Sequence, residues 1–338
     1  MRIRFLGLLF LLTLLTTCSW AQLRQIAIID IPGRPGFDGV AFVASQLVMT
    51  HSGAGSVDVF SLPQRRLITQ VTGLAGPSGI AADEPGGKVY VANTDGKNIA
   101  VISTHTWKVL ETIPLPNSPQ ALVLAPEGRL YAADWLAQSV SAIDLAHGNQ
   151  VRSAALGGRP EYMAYDPQRQ VLFVTLEDLR QVVALDPALH VVSRYPLAGS
   201  QPTGIALDAQ ARRLYVAVRS AVVELNADTG AEVGRVAMPV GTDMLWFDAA
   251  SHSLYAAAGN SVNVIRTGGK LEPIGELPIE VRGHVLAFDP ATGLIYLPGG
   301  REGRSKLLIV KRLPGAGTQA EQVAQEGAQQ TTTTPPRQ

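Results

Sequence analysis

The sequence predicts an all-β fold, a seven-bladed β-propeller of four-stranded antiparallel blades, on three observations. The first is a repeated aliphatic anchor at Val40, Ile80, Leu122, Met163, Ile205, Leu245 and Leu286, with steps of 40, 42, 41, 42, 40 and 41 residues. A second anchor follows nine or ten residues later, at Met49, Tyr90, Tyr131, Phe173, Tyr215, Tyr255 and Tyr296. A period near forty made of short β-runs is that of propeller blades rather than of helical repeats. The third observation concerns closure. The last copy supplies only three runs, 284–288, 294–297 and 306–310, whereas residues 23–31 form a β-run with no partner nearby in sequence. An unpaired sheet edge is costly, so the N-terminal run is expected to close the last blade as its outer strand.

The copy at residues 77–115 shows the role of each element. Its first run, Gly79-Ile80-Ala81-Ala82, is rich in small residues, as the innermost strand requires where seven sheets crowd the axis. The second, Lys88-Val89-Tyr90-Val91-Ala92, is nearly all apolar, which fits a strand covered on both faces by adjacent blades. The third run alternates more clearly, as in Ser139-Val140-Ser141-Ala142-Ile143-Asp144 of the next copy. The fourth, residues 108–113, carries the charges of an outer rim. Between first and second runs an aspartate recurs, at Asp83, Asp166, Asp208, Asp248 and Asp289. Aspartate at a turn start accepts hydrogen bonds from nearby backbone N–H groups, so these five are expected to be turn formers rather than metal ligands.

Tyr90-Val91-Ala92-Asn93 nearly matches a known tetrapeptide, and Val101-Ile102-Ser103, Pro119-Gln120-Ala121-Leu122 and residues 108–115 follow the same rhythm. On these phrases the chain resembles the YVTN-type β-propeller repeat family, grouped with WD40-like and amine-dehydrogenase β-chain-like propellers, over roughly residues 23–313. The resemblance implies the propeller fold. It implies no shared reaction, because such motifs pack blades.

The chain ends differ in composition. Arg2 and Arg4 precede the apolar stretch 5–15, and Ser19-Trp20-Ala21 offers small residues to a signal peptidase. Residues 1–21 are therefore read as a signal peptide and the mature chain as periplasmic or extracellular. Eleven apolar residues fall short of the ~20 needed for a membrane crossing, so no transmembrane span is expected in the mature chain. Lipid anchoring through Cys18 is the weaker alternative, since threonine precedes it. Cys18 is the only cysteine, so the mature protein has no disulfide or thiolate chemistry. Residues 22–313 form the propeller domain, and residues 314–338, rich in Gln, Thr and Pro, read as a disordered tail. Residues 1–21 hold two arginines and no acid, so their removal leaves 26 basic and 28 acidic side chains, a formal charge of −2. That balance argues against a nucleic-acid partner.

Function in a propeller is placed by loops at one end of the channel. Loops between blades share that end with the turns joining second to third strands. His105, His147, His190 and His252 fall in turns of the opposite end, whereas His51 and His284 are assigned to the mouth. The candidate ligand-binding residues are His51, Asp134, Trp135, Arg159, Tyr162, Glu177, Arg219, Asp243 and His284, within a wider loop set that includes Asp38 and Glu161. Trp135 and Tyr162 offer stacking faces and the arginines offer forks for a carboxylate or phosphate. The expected activity is non-enzymatic binding of a small polar ligand, a glycan or a protein partner by a monomer, with no cofactor. The alternative is a metal-dependent hydrolase or lyase of the kind found among lactonase-like and streptogramin-lyase-like propellers. His51, His284, Asp134, Glu177 and Asp243 would then supply the divalent-metal ligands. No phosphate-binding glycine loop or serine-nucleophile elbow is present.

Overall fold

The computed structural model describes residues 22–199 and 201–313; the expected signal peptide and tail lie outside the described residues. Strand β1 (Gln22–Asp30) is followed by four strands per blade: β2–β5 over residues 37–72, β6–β9 over 77–114, β10–β13 over 121–155, β14–β17 over 160–196, β18–β21 over 202–237 and β22–β25 over 242–278. The last three, β26–β28, span residues 287–313. They form seven four-stranded antiparallel sheets, the last ordered β1-β28-β27-β26. The N-terminal strand is thus the outer strand of the seventh blade, pairing from Gln22 with Leu313 to Asp30 with Lys306.

The core lies between blades. Seven apolar clusters occupy the seven blade-to-blade interfaces: one, for example, joins Tyr215, Ala217 and Val222 of blade 5 to Leu245, Leu254 and Ala256 of blade 6. The anchors Tyr131, Phe173, Tyr215, Tyr255, Tyr296 and Met49 are among the largest fully buried side chains. This explains the nearly continuous apolar second strands, which present both faces to neighbours. Outer strands are exposed, as in β9 (Val109–Pro114), where only Ile113 is buried.

The five recurrent aspartates form turns as expected. Their carboxylates accept from the backbone N–H of Gly86, Gln168, Ala211, Ser251 and Ala291 respectively. Blade 7 departs from the expected pattern. Its inner strand is only Ala287–Asp289, not 284–288, and its third strand extends over Arg304–Leu313. The cause is a long hairpin: β27 continues to Arg301, and its Gly300 exchanges hydrogen bonds of 2.9 and 2.8 Å with the backbone of Arg282. The segment before β26 is thereby drawn away from the inner-strand ladder.

His51 is the main correction to the assigned site. It is fully buried at the seam where the ring closes, so it does not open into the channel. Its Nδ1 lies 2.7 Å from Asp58 Oδ2, and its Nε2 lies 2.7 Å from the Arg34 carbonyl and 3.0 Å from Ser305 Oγ. Ser305 donates to the Gly33 carbonyl, while Asp58 Oδ1 accepts from Ser56 and Gln70. Blade 1, the segment after β1 and blade 7 are tied by this one network. A Ser–His–Asp series occurs here, but Ser305 is fully buried and its proton is directed to a carbonyl, so it is a structural lock rather than a nucleophile.

Candidate functional site

At the mouth end, the inner strands lose register. The ladder skips between Phe37 and Gly39, Pro77 and Ile80, Pro160 and Met163, Pro202 and Ile205, and Thr242 and Leu245. A bulge of this kind re-aims side chains out of the sheet. The residue two positions before each aliphatic anchor therefore leaves the ladder, giving Asp38, Ser78, Glu161, Thr203 and Asp243. Gln120 and His284 occupy the same repeat position in blades 3 and 7, just ahead of their inner strands. Each blade thus contributes one polar residue to a ring around the channel. Except for Thr203, all of them line a cavity of about 640 Å³ floored by Val40, Leu122, Met163, Ile205 and Leu245.

The ring is fixed by backbone contacts between neighbouring blades. Gly79 N–H donates to the Gln120 carbonyl at 2.5 Å, and Met244 N–H donates to the His284 carbonyl at 3.3 Å. A Cβ at Gly79 would stand 2.3 Å from that same carbonyl, and one at Gly204 would stand 2.2 Å from the Asp243 carbonyl. Glycine is required at both places for the bulges to touch. Hydroxyls at the ends of second strands add a further tie: Thr175 Oγ1 in β15 donates to the Thr203 carbonyl at 2.8 Å, and Thr94 Oγ1, just after β7, donates to the Pro119 carbonyl at 2.7 Å.

Charge is unevenly distributed round the ring. His284 Nε2 lies 3.4 Å from Asp38 Oδ1. The hydrogen bond with Asp38 raises the imidazole above its ordinary pKa against the opposing effect of burial, with support from Asp243 and Glu161. Burial pushes Asp38 up, but hydrogen bonds from His284 and Ser52 outweigh it and hold the carboxyl below its usual range. Burial raises Asp243, although His284 and Thr203 oppose it. Across the ring, burial together with Glu177 and Asp243 pushes Glu161 up to about 7. The Tyr162 phenol is raised well above its normal value by burial and by Asp243, Glu161 and Asp38.

Trp135 and Tyr162 form the aromatic part of the wall. Trp135 donates its indole N–H to Glu177 Oε2 at 3.2 Å, and the Arg159 guanidinium carbon lies 4.6 Å from its ring centroid. Arg159 Nε is in turn 3.7 Å from both Glu177 and Asp178. Arg159 and Glu177 therefore hold Trp135 from behind and are not themselves at the cavity surface.

Of the nine assigned residues, the structure brings Trp135, Tyr162, Asp243 and His284 together around the cavity. Asp134 is buried and accepts from the Ala137 N–H at 2.6 Å, the role of a turn former. Arg219 stands on the exposed rim and donates to Gln201 at 2.9 Å. The set proposed for a divalent metal is consequently dispersed, with His51 in the seam and Asp134 in its turn. Among the described residues no three His, Cys, Asp or Glu side chains are grouped to hold a metal ion. Ser78, Gln120 and Thr203 carry no signal in their residue type; what marks them in the sequence is their place two residues before an aliphatic anchor.

No family model matches the chain, so the repeat resemblance is supported as far as the seven-bladed propeller and not for the YVTN family. The chain is 28% identical over 170 residues to the uncharacterized protein YncE of Salmonella typhi, covering 48% of this chain and 47% of that protein. It is 22% identical over 162 residues to antigen Lp49 of Leptospira interrogans serogroup Icterohaemorrhagiae serovar copenhageni, covering 41% and 36%. The chain therefore matches less than half the length of either relative. Hydrazine synthase of Kuenenia stuttgartiensis is a structural neighbour with a TM-score of 0.74 at 14% identity, covering 85% of this chain and 98% of that one. Virginiamycin B lyase from Staphylococcus aureus gives 0.71 at 14% identity, covering 87% and 100%. At these identities the likeness to solved structures shows the shared propeller fold and nothing of the chemistry.

Proposed function

We propose that this protein is an exported, non-enzymatic binding propeller that takes a small polar ligand, a glycan or a peptide segment at the channel mouth. The observation that carries this reading is the ring itself: six of its seven polar side chains, four of them at strand bulges, line one cavity of about 640 Å³ over an apolar floor. Concave sites with an apolar lining and a few convergent polar groups are where ligands are held. Backbone ties between blades fix those groups before any ligand arrives, which lowers the ordering cost of binding.

The test is a thermal-shift screen of the purified mature protein against sugars, peptides, lactones and divalent metals. A ligand at about 100 times its dissociation constant adds about 2.7 kcal/mol of stability, a readable rise in melting temperature. The reading expects such a hit, lost in Trp135→Ala, with no turnover of the compound. Conversion of a hit to product, or a hit unaffected by Trp135→Ala, contradicts it. Export is tested separately by sequencing the N-terminus of secreted or periplasmic material, with Gln22 as the expected first residue.

A further inference from the structure

We infer that the ring accepts its ligand through a cationic nitrogen, a primary ammonium or a guanidinium, received by Glu161 and Asp243 beside Trp135 and Tyr162; this rests on the mouth being a binding site. Four observations lead to it. First, His284, the one His, Lys or Arg among the described residues lining this cavity, is paired with Asp38, and Arg159 beside Trp135 lies 3.7 Å from both Glu177 and Asp178. Second, Glu161 and Asp243 line the same cavity, and among the described residues neither makes an ion pair. Third, Asp95 adds another carboxylate to the lining, whereas neither assigned arginine, Arg159 nor Arg219, is part of it. An anion entering here would meet uncompensated carboxylates, so the arginine-fork chemistry expected from the sequence does not operate in the channel.

The fourth observation is the aromatic wall. Trp135 already receives a guanidinium, that of Arg159, at 4.6 Å from its ring centroid. An indole fixed beside carboxylates is suited to a cation with an alkyl arm, because the ring attracts the charge and covers the methylenes. Tyr162 lines the same cavity, and a phenol oxygen can accept from an N–H donor. The apolar floor of Val40, Met163, Ile205 and Leu245 then favours an arm of several methylenes over a bare inorganic ion. The same chemistry occurs in a free diamine and in a lysine or arginine side chain of a peptide.

The experiment is isothermal titration of the mature chain with three probes of matched length, hexane-1,6-diamine, hexane-1,6-diol and adipate, and with an N-acetylated Gly-Lys-Gly peptide. The diamine is expected to bind at least about tenfold more tightly than the diol, with no detectable adipate binding. Glu161→Gln and Asp243→Asn should each weaken the diamine about tenfold with no loss of melting temperature, and His190→Gln at the opposite end should change nothing. Tighter binding of the peptide than of the diamine assigns the site to a polypeptide side chain, and the reverse order assigns it to a free amine; either supports the inference. Equal or tighter binding of the diol or adipate overturns it, as does diamine binding unchanged in both variants. If all cationic probes fail while a sugar or lactone hit maps to Trp135, the cation is refuted and the binding site survives. If neither class binds, both readings fall.

Discussion

At the residue scale, Glu161 makes the most specific prediction. Its pKa is raised from 4.5 to about 7, chiefly by burial, so the folded state holds the proton more tightly than the unfolded state. Stability contributed by the neutral carboxyl is therefore present at low pH and is lost as pH rises from 4.5 towards 7. The neighbouring charges are Glu177 and Asp243, which oppose ionisation, and Arg159, which favours it. Glu161→Gln should match the wild type at about pH 4 and melt higher at about pH 8, a difference read by thermal denaturation at the two pH values. A constant difference across that range would mean that Glu161 ionises without strain. Arg159→Ala tests the support of Trp135. Removing the guanidinium frees one indole face, so tryptophan fluorescence should report greater solvent access while the unfolding free energy falls by no more than a surface substitution allows, about 0.5 kcal/mol.

Residue scale is also where sequence reading was weakest. Asp38, Ser78, Gln120, Glu161, Thr203, Asp243 and His284 share a repeat position but no residue type, so no motif marks them. Five of them sit at a bulge, which depends on pairing and not on the identity of the side chain, and Gln120 and His284 precede their inner strands. His51 was misplaced for another reason. It ends a second strand at the mouth, but residues 31–36 and Ser305, remote in sequence, cover it. Arg159 reads as an anion fork in the sequence, but Glu177 and Asp178, from the next hairpin turn, pair with it.

Elements were read far more successfully because each depends on a pattern repeated seven times. Second strands had to be apolar on both faces, and the tyrosine anchors mark where that burial is deepest. Tyr215 has no exposed surface and packs with Leu245 and Leu254 of the next blade. Tyr215→Ala should accordingly cost about 3–5 kcal/mol, measured by denaturant unfolding. A loss below about 1 kcal/mol would show that the interface can collapse around the missing ring. The inner strand of blade 7 was legible only approximately. Its pattern runs from 284 to 288, but the extended hairpin pairs Gly300 with Arg282 and holds that approach outside the ladder.

For the whole molecule, the critical feature is closure. The sheet of blade 7 is completed by β1, and Leu23 and Ile28 on one side and Ile26 and Ile29 on the other pack against its two neighbouring interfaces. Deleting residues 22–30 exposes the β28 edge and uncovers both clusters, so the melting temperature should fall sharply and the protein should self-associate. An unchanged melt and a monomeric elution profile would refute the clasp. The seam can also be tested by His51→Ala, which leaves the fully buried Asp58 without its imidazole and should cost about 3–5 kcal/mol. Closure and function are linked here, because the seam brings Asp38 of the first blade beside His284 of the last.

The most direct measurement of the central claim is a hydrogen–deuterium exchange footprint of the mature protein with and without a hit from the ligand screen. Protection should appear at the mouth ends of the inner strands, around 77–80, 160–163 and 242–245, and in the segment before β26 that carries His284. Protection confined to the outer strands, or to the turns holding His147 and His190, would contradict binding on the ring.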